Sequence, residues 1–434
     1  MVQNGYQLVE DQKIADILIF NTCAVREHAS EKAVSVIQKT ILDLEDHSRY
    51  PIVVVFGCLS QFLGLQLIKR IPRAQIVIGT SNIDRIPQYL EEYLAKKNQI
   101  IHFDLTSDQH VFDETGYYRK SNGISTFLPI TYGCNNFCSY CVVPYTTGLQ
   151  RSKPVSMILD ELKCAIEEGF REITLLGQNI NSYGSDMGLK NGFEDLIWTI
   201  DQNFGNSPVW IRFLTSHPRD MRLSIIDAVR NSPIISRFFH LPLQSGSDQI
   251  LQAMNRGYTR DYYLHLVKNI RELLPDSGIG TDIIVGFPGE SEKDFLETIQ
   301  VVQQAQFDLA YTYIYSPRSG TAAFHLSDHL PLSEKKKRLH FLNQTLSEIY
   351  RSKISTWIGK TVSIMIDQLQ ETIASGKTMS NQRVFFTPNS QQSLGEIVSI
   401  LIKKIQKGKI YGDLVQVESS TYPNSLLSRT NCEW

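Results

Sequence analysis

Short apolar runs alternate with amphipathic stretches over the first hundred residues. Ile14 to Phe20, Pro51 to Phe56 and Ala74 to Ile78 are strand-like, while Glu27 to Leu44 and Leu59 to Arg70 carry apolar residues at helical period. Strand, helix and strand again predict a parallel sheet with right-handed crossovers. Each run stops at small or polar residues: Asn21-Thr22-Cys23, Gly57-Cys58 and Gly79-Thr80-Ser81. Ligands gather at the carboxyl ends of such strands, so Cys23 and Cys58, 35 residues apart, mark a candidate site. The alternative is that each is a small buried core residue.

A second rhythm starts at residue 125. Six strand-like runs, Thr126 to Thr131, Glu172 to Leu176, Trp210 to Leu214, Phe238 to Leu243, Gly280 to Val285 and Leu309 to Tyr315, are separated by five helical segments, among them Val155 to Glu168, Phe193 to Asn203 and Glu292 to Ala305. This predicts a partial (β/α)6 barrel, with small and polar residues clustered after every strand at the end that carries chemistry in β/α barrels. A polar helix, Ser333 to Lys353 with Ser333 as N-cap, follows. Short β runs broken by turns, Val362 to Ile366, Arg383 to Phe386, Glu396 to Ile402 and Tyr411 to Val417, then predict a small barrel or sandwich. The expected organisation is α/β: an N-terminal parallel-sheet domain over 1–104, a linker over 105–124, the partial barrel and its helix over 125–353, a small β domain over 354–420, and a tail over 421–434 in which Cys432 is a bystander.

Composition narrows the class without naming it. Hydrophobic content of 42% and charged content of 20% are those of a water-soluble globular chain, and 43 basic against 45 acidic residues exclude bulk adhesion to polyanions, so any nucleic-acid site must be a local patch. No apolar run approaches the roughly 18 residues of a membrane span, and Asn4, Gly5, Glu10 and Asp11 are not those of a signal peptide. A cytoplasmic protein with no membrane partner is expected. Seven cysteines, three of them within eight positions, suit metal chemistry in a reducing compartment better than a disulfide framework.

Those three are Cys134, Cys138 and Cys141. Thiolates at i, i+4 and i+7 can converge on one point if the loop wraps around it, and a sulfur-only set selects iron–sulfur or zinc over hard cations. Apart from these cysteines, no His, Cys, Asp or Glu lies between Gly133 and Asp160 to serve as fourth ligand. A closed structural zinc site would need one, whereas an open position suits a cluster with one iron left to bind something else.

The spacing, with Tyr140 before the third cysteine, resembles the signature of radical S-adenosylmethionine enzymes. Gly133-Cys134-Asn135-Asn136-Phe137-Cys138-Ser139-Tyr140-Cys141-Val142-Val143-Pro144, Asn21-Thr22-Cys23-Ala24-Val25-Arg26-Glu27, His240-Leu241-Pro242-Leu243-Gln244-Ser245-Gly246-Ser247 and Asp282-Ile283-Ile284-Val285-Gly286-Phe287-Pro288-Gly289-Glu290 together resemble the methylthiotransferases. The likeness spans nearly the whole chain, with a C-terminal segment similar to the RNA-binding TRAM domain, and the Asn21 to Glu27 motif resembles the branch that acts on N6-dimethylallyladenosine of tRNA. The resemblance implies a 4Fe-4S cluster on Cys134, Cys138 and Cys141 with S-adenosylmethionine on its open iron. It also implies a second 4Fe-4S cluster on three N-terminal cysteines, of which Cys23 and Cys58 match two. The third position falls upstream of Met1, which sits inside what should be the family's first helix, and Cys164 in a barrel helix is no stand-in. The implied partners are a tRNA anticodon stem-loop and a low-potential electron donor, with the protein a monomer. Methylthiolation of a ribosomal-protein aspartate, a non-catalytic RNA-binding remnant and a zinc-binding structural protein are the rival readings.

Where the family carries Arg, Glu and Arg after the cysteine loop, this chain has Thr147, Gln150 and Lys153. Candidate contacts to S-adenosylmethionine or substrate are Tyr140, Gly177, Gln178, Asn179, Ser216, Gln244, Ser245, Arg256 and Asp282, with His217 either a ligand contact or a hydrogen-bonded strand-end histidine, and Arg318 a candidate for RNA phosphate. Of two basic concentrations, Lys335-Lys336-Lys337-Arg338 reads as a solvated helix face and Lys403, Lys404, Lys407 and Lys409 as a phosphate-positioning patch.

Overall fold

A computed structural model describes residues 1–24, 27–105 and 123–415. Most of the expected linker, the tail with Cys432, and Val25 and Arg26 of the N-terminal motif lie outside the described residues. The described chain falls into two compact units: 1–105 with 132–150 and 316–325, and 123–131 with 151–315 and 326–415. The cysteine loop thus groups with the N-terminal sheet, and the small C-terminal barrel with the central strands.

In the first unit four parallel strands, Ile17–Thr22, Ile52–Gly57, Ile76–Ile78 and Ile100–His102, lie in chain order. Val53, Val55 and Val77 face one apolar layer with Val34, Ile37, Leu59 and Leu67. Val54, Ile76 and Ile78 face the other, with Tyr89 and Leu90. The helix Ile86–Lys96 and the last strand go beyond the sequence reading, because Ile100-Ile101-His102 is too short to show a period. The expected first helix is only a 3-10 turn over Val2–Asn4, stopped by Gly5 at a φ of 82°.

In the second unit the six expected strands are all present and parallel, as two three-stranded sheets: Ser125–Pro129, Glu172–Leu176, Trp210–Phe213, and Phe238–His240, Gly278–Val285, Leu309–Ile314. A bridge from Ile211 to Ile235 and the bond from Ser216 N–H to the His240 carbonyl, 3.0 Å, join them. Alternation sends Leu128, Ile173, Leu175, Ile211, Phe213, Phe239 and Ile283 into the layer of covering helices. Glu172, Arg212, His240 and Asp282 occupy the intervening positions.

Two expectations are corrected here. The helix after the barrel runs Leu332–Ser355 with Pro331, not Ser333, as N-cap, proline at that point ending the extended segment with φ fixed near −65°. Its basic run is not simply solvated: Lys335 and Arg338 are 4% and 5% exposed, Lys335 pairing with Asp328 and Arg338 with Glu290 at 2.8 Å. Residues three apart share a helix face, so half of the run points inward.

The C-terminal strands Thr361–Leu369, Ala374–Lys377, Arg383–Phe386, Ile397–Gln406 and Lys409–Leu414 close into a barrel around Ile364, Ile366, Val384, Ile400, Ile402 and Ile410. A buried ion cluster binds it to the central strands. Glu172 accepts from Arg212 Nε at 2.8 Å and from Lys377 Nζ at 3.1 Å, and Arg212 also donates to the Thr378 carbonyl at 3.1 Å. Burial alone would raise the Glu172 carboxyl, but the charges of Arg212 and Lys377 outweigh it and hold the group below the usual carboxylate range. A carboxylate depressed on folding contributes stability above its unfolded pKa and loses it as pH falls through the folded value. Glu172→Gln, which leaves Arg212 buried without its charge partner, is therefore expected to destabilise the second unit by roughly 3 to 5 kcal/mol at neutral pH. The gap to wild type should begin to narrow as the pH falls below the unfolded carboxylate range of about 4 and close only below the lower folded value; urea unfolding across that range checks both.

Candidate functional site

The cysteine loop is shaped by one glycine. Gly133 has a φ of 70°, and a Cβ there would stand 2.2 Å from the Leu149 carbonyl oxygen and 2.5 Å from that of Gly148. The returning strand lies so close because Cys134 N–H donates to the Gly148 carbonyl at 3.2 Å and Gln150 N–H to Asn135 Oδ1 at 3.0 Å. Cys141 N–H closes a turn onto the Cys138 carbonyl at 2.9 Å, and Ala323 N–H donates to the Ser139 carbonyl at 2.7 Å, so the segment 316–325 braces the loop from outside. Cys134 and Cys138 are buried and Cys141 is half-buried. Among the described residues no group of three or more His, Cys, Asp or Glu gathers around a point that would hold a single metal ion. The all-sulfur donors of this loop fit a 4Fe-4S cluster, in which separate thiolates sit on separate irons.

Cys23 and Cys58 follow the first and second strands of the same unit, as the spacing predicted. Gly57 makes their approach possible: at a φ of 108°, a Cβ on it would be 2.5 Å from the Thr22 carbonyl. Cys23 is exposed and Cys58 half-buried. Burial pushes the Cys58 thiol up and the neighbouring Cys23 adds to this, against the hydroxyls of Thr147 and Thr146, which hydrogen-bond to it and pull it down. Sequence reasoning flagged Thr147 only as a departure from a family pattern; the fold places it on Cys58. The helix Val143–Thr146 is seated there by Val142, which joins the N-terminal apolar cluster, and by Thr80 Oγ1 donating to the Thr146 carbonyl at 2.6 Å.

At the carboxyl ends of the central strands the candidates separate into two kinds. Some are consumed by the scaffold. Asn179 bridges, its Nδ2 donating to Asp220 Oδ2 at 2.7 Å and its Oδ1 accepting from His217 N–H at 3.0 Å. Ser245 is fully buried, its Oγ 3.4 Å from Thr298 Oγ1 and accepting from Ser247 N–H. Arg256 donates to the Pro242 carbonyl at 3.0 Å and to Tyr258 Oη at 3.2 Å. Gly177 is required by space, since a Cβ would lie 2.2 Å from Thr131 Oγ1. Others carry polar atoms left over: among the described residues, Thr131 Oγ1, Ser216 Oγ, His217 Nε2 and Gln244 Oε1 are buried without a hydrogen-bond partner. Gln244 is held at a φ of 69° by backbone bonds to Asp282 and Ile284. Asp282 Oδ2 lies 3.2 Å from His240 Nε2, and Gln178 is exposed. Tyr140 is half-buried in the first unit.

Two sequence profiles match the chain: the Radical SAM superfamily over residues 128–302, and the Uncharacterized protein family UPF0004 over residues 1–79. The chain is 38% identical over 416 residues, 95% of its length and 91% of the relative's, to the tRNA-2-methylthio-N(6)-dimethylallyladenosine synthase of Clostridium botulinum strain Loch Maree. It is 38% identical over 419 residues, 95% of its length and 88% of the relative's, to the synthase of the same name from Thermoanaerobacter pseudethanolicus. Among solved structures, the radical S-adenosylmethionine methyltransferase TsrM of Kitasatospora setae, with cobalamin and a 4Fe-4S cluster bound, superposes with a TM-score of 0.55 at 12% identity, covering 71% of this chain and 63% of that one. That likeness is one of fold.

The Gly133 turn supplies a direct check on the loop. Gly133→Ala meets two carbonyl oxygens in a backbone region that alanine avoids, so it is expected to keep the circular dichroism of the wild type and to take up less than about half the wild-type iron on anaerobic reconstitution.

Proposed function

Because the chain belongs to the radical S-adenosylmethionine methylthiotransferase family, we propose that its substrate is tRNA and that it adds a methylthio group at C2 of N6-dimethylallyladenosine, position 37, beside the anticodon. The observation that carries this reading is the Gly133-turned loop presenting Cys134, Cys138 and Cys141 in the same compact unit as Cys23 and Cys58. The first three would hold the radical-generating 4Fe-4S cluster, and the other two would supply ligands to the sulfur-delivering one. When bound, the cluster and S-adenosylmethionine supply the one-electron chemistry that breaks an unactivated aromatic C–H bond, which acid–base side chains cannot do. The protein's part is to position the ligands: Gly133, Gly148 and Asn135 fix the loop, while Asn179 fixes the turn that carries Ser216 and His217.

The RNA would be held by the C-terminal barrel. Lys404 Nζ lies over the Tyr411 ring at 5.5 Å, Lys409 Nζ over the Phe385 ring at 5.1 Å, and the two rings are 5.5 Å apart. Cations interleaved with aromatic faces suit phosphates beside unstacked bases. With the chain near neutral overall, binding should be modest and salt-sensitive.

Reconstituted protein is expected to be brown, oxygen-sensitive and able to release 5′-deoxyadenosine from S-adenosylmethionine under a low-potential reductant. Cys138→Ala should abolish that release, and a variant that still cleaves would sink the cluster assignment. Mass spectrometry of tRNA from cells lacking the gene should show the 2-methylthio group missing; an unchanged level would reject the substrate. For the barrel face, the Lys404→Ala, Lys409→Ala double variant should bind tRNA more weakly, with a log–log salt slope shallower by about 2; an unchanged slope would place the phosphates elsewhere.

A further inference from the structure

His217 is more constrained than a strand-end histidine needs to be. Its backbone N–H donates to Asn179 Oδ1 at 3.0 Å and Asn181 Oδ1 at 2.9 Å, and its carbonyl accepts from Asn181 Nδ2 at 2.9 Å. The ring meets Tyr258 edge to face at 5.7 Å, and Tyr258 is itself tied by its hydroxyl to the Leu243 carbonyl at 2.8 Å. Ring nitrogen Nδ1 accepts the Arg219 backbone N–H at 3.3 Å, which places the proton of the neutral imidazole on Nε2. Among the described residues that Nε2–H meets no acceptor, although His217 is only 5% exposed. The Oγ of Ser216, 1% exposed, is likewise unsatisfied. Leaving one buried donor without a partner costs about 1 to 3 kcal/mol, so two consecutive ones at the functional end of a sheet ask for a ligand.

The electrostatics select the kind of ligand. Burial, then the charges of Arg256 and Arg219, push the His217 pKa down to about 2, so the ring is neutral and a donor through the whole physiological range. Of the two guanidinium groups that resist a proton on His217, Arg219 is already paired with Asp220 at 3.0 Å, so it is chiefly Arg256 that attracts negative charge to its vicinity. A neutral donor, a hydroxyl and a positive field in a desolvated place suit an anionic oxygen and repel an ammonium group.

We propose that His217 Nε2–H is a ligand-binding donor for an anionic oxygen, either the carboxylate at the amino-acid end of S-adenosylmethionine or a phosphate of the bound tRNA. The proposal rests on the methylthiotransferase reading, which supplies both ligands. Ser216 is its neighbour in the same role, while Asn179 and Asn181 are positioning residues that hold the turn.

Binding isotherms of the reconstituted full-length protein test it. The probes are S-adenosylhomocysteine, which carries the carboxylate, 5′-methylthioadenosine, which lacks the amino-acid end, and tRNA. If the carboxylate is the partner, His217→Phe should weaken S-adenosylhomocysteine about tenfold or more and leave 5′-methylthioadenosine unchanged, and His217→Gln, which offers an amide N–H near the Nε2 position, should recover most of the loss. If a phosphate is the partner, both nucleosides should bind as in wild type, while tRNA binds more weakly with a salt slope shallower by about 1. Unchanged affinity for all three probes would overturn the proposal. So would an equal loss for both nucleosides that His217→Gln fails to restore, since that is the mark of a structural role. A wild-type protein that binds neither nucleoside would instead overturn the functional reading, and this proposal with it.

Discussion

A carboxylate buried at the start of a central strand fixes much of what the second unit can be. Glu172 is 4% exposed and keeps its charge only because Arg212 and Lys377 reach it, so the strands that carry all three must be in place together. Lys377 belongs to the C-terminal barrel. The same contact brings in the Thr378 to Ser380 turn, whose carbonyls take hydrogen bonds from Arg212, Ser236 and Arg237. Gly278 begins its strand without a side chain because the Ser380 carbonyl oxygen occupies the place, 2.4 Å from where a Cβ would be. The C-terminal barrel is therefore packed into the same unit as the central sheet, against the amino ends of its strands.

With that end filled, the carboxyl ends remain for ligands, and the polar atoms there show how the sequence divides its labour. Asn179, Ser245 and Glu290 all sit in loops rich in small residues, yet each is spent on the chain itself: Glu290 accepts from Gly286 N–H at 2.7 Å and from Arg338 at 2.8 Å. Ser216, His217 and Gln244 sit beside them and are left unsatisfied. A residue's type cannot reveal which of the two it is, because Asn and Gln, or Ser245 and Ser216, have the same donors and acceptors. Only the partners decide.

That is where the sequence stopped being legible. Strand Glu172–Leu176 and helix Glu292–Ala305 were read with the right ends because their signals are local, apolar residues between turn residues, and the structure adds a Ser291 with Asp294 capping box at the start of the helix. The face of helix Leu332–Ser355 that hides Lys335 and Arg338 was not read, since their acceptors, Asp328 and Glu290, are supplied by loops that precede the helix. The strand Ala374–Lys377 was missed because Ser375 and Gly376 break the apolar alternation; Gly376 is needed where the Met365 carbonyl oxygen would lie 2.2 Å from a Cβ. Of the site, the cysteine spacings and the glycine turns were visible at once. The grouping of the cysteine loop with the N-terminal sheet was not, because it depends on Val142 entering an apolar cluster whose other members lie far upstream.

Thr147 shows what such grouping adds to the chemistry. Where the family resemblance calls for an arginine, this chain has a residue whose side chain ends at a hydroxyl, and that hydroxyl is hydrogen-bonded to Cys58. A cation in the same place would stabilise the thiolate by charge as well as by hydrogen bonding, and would act on Cys23 too. A neutral hydroxyl gives only the hydrogen bond, which burial outweighs, so the Cys58 thiol stays above its ordinary value. The short helix that carries Thr146 begins two residues after Cys141. One turn of backbone thus separates Cys141 from the hydroxyls that set the environment of Cys58.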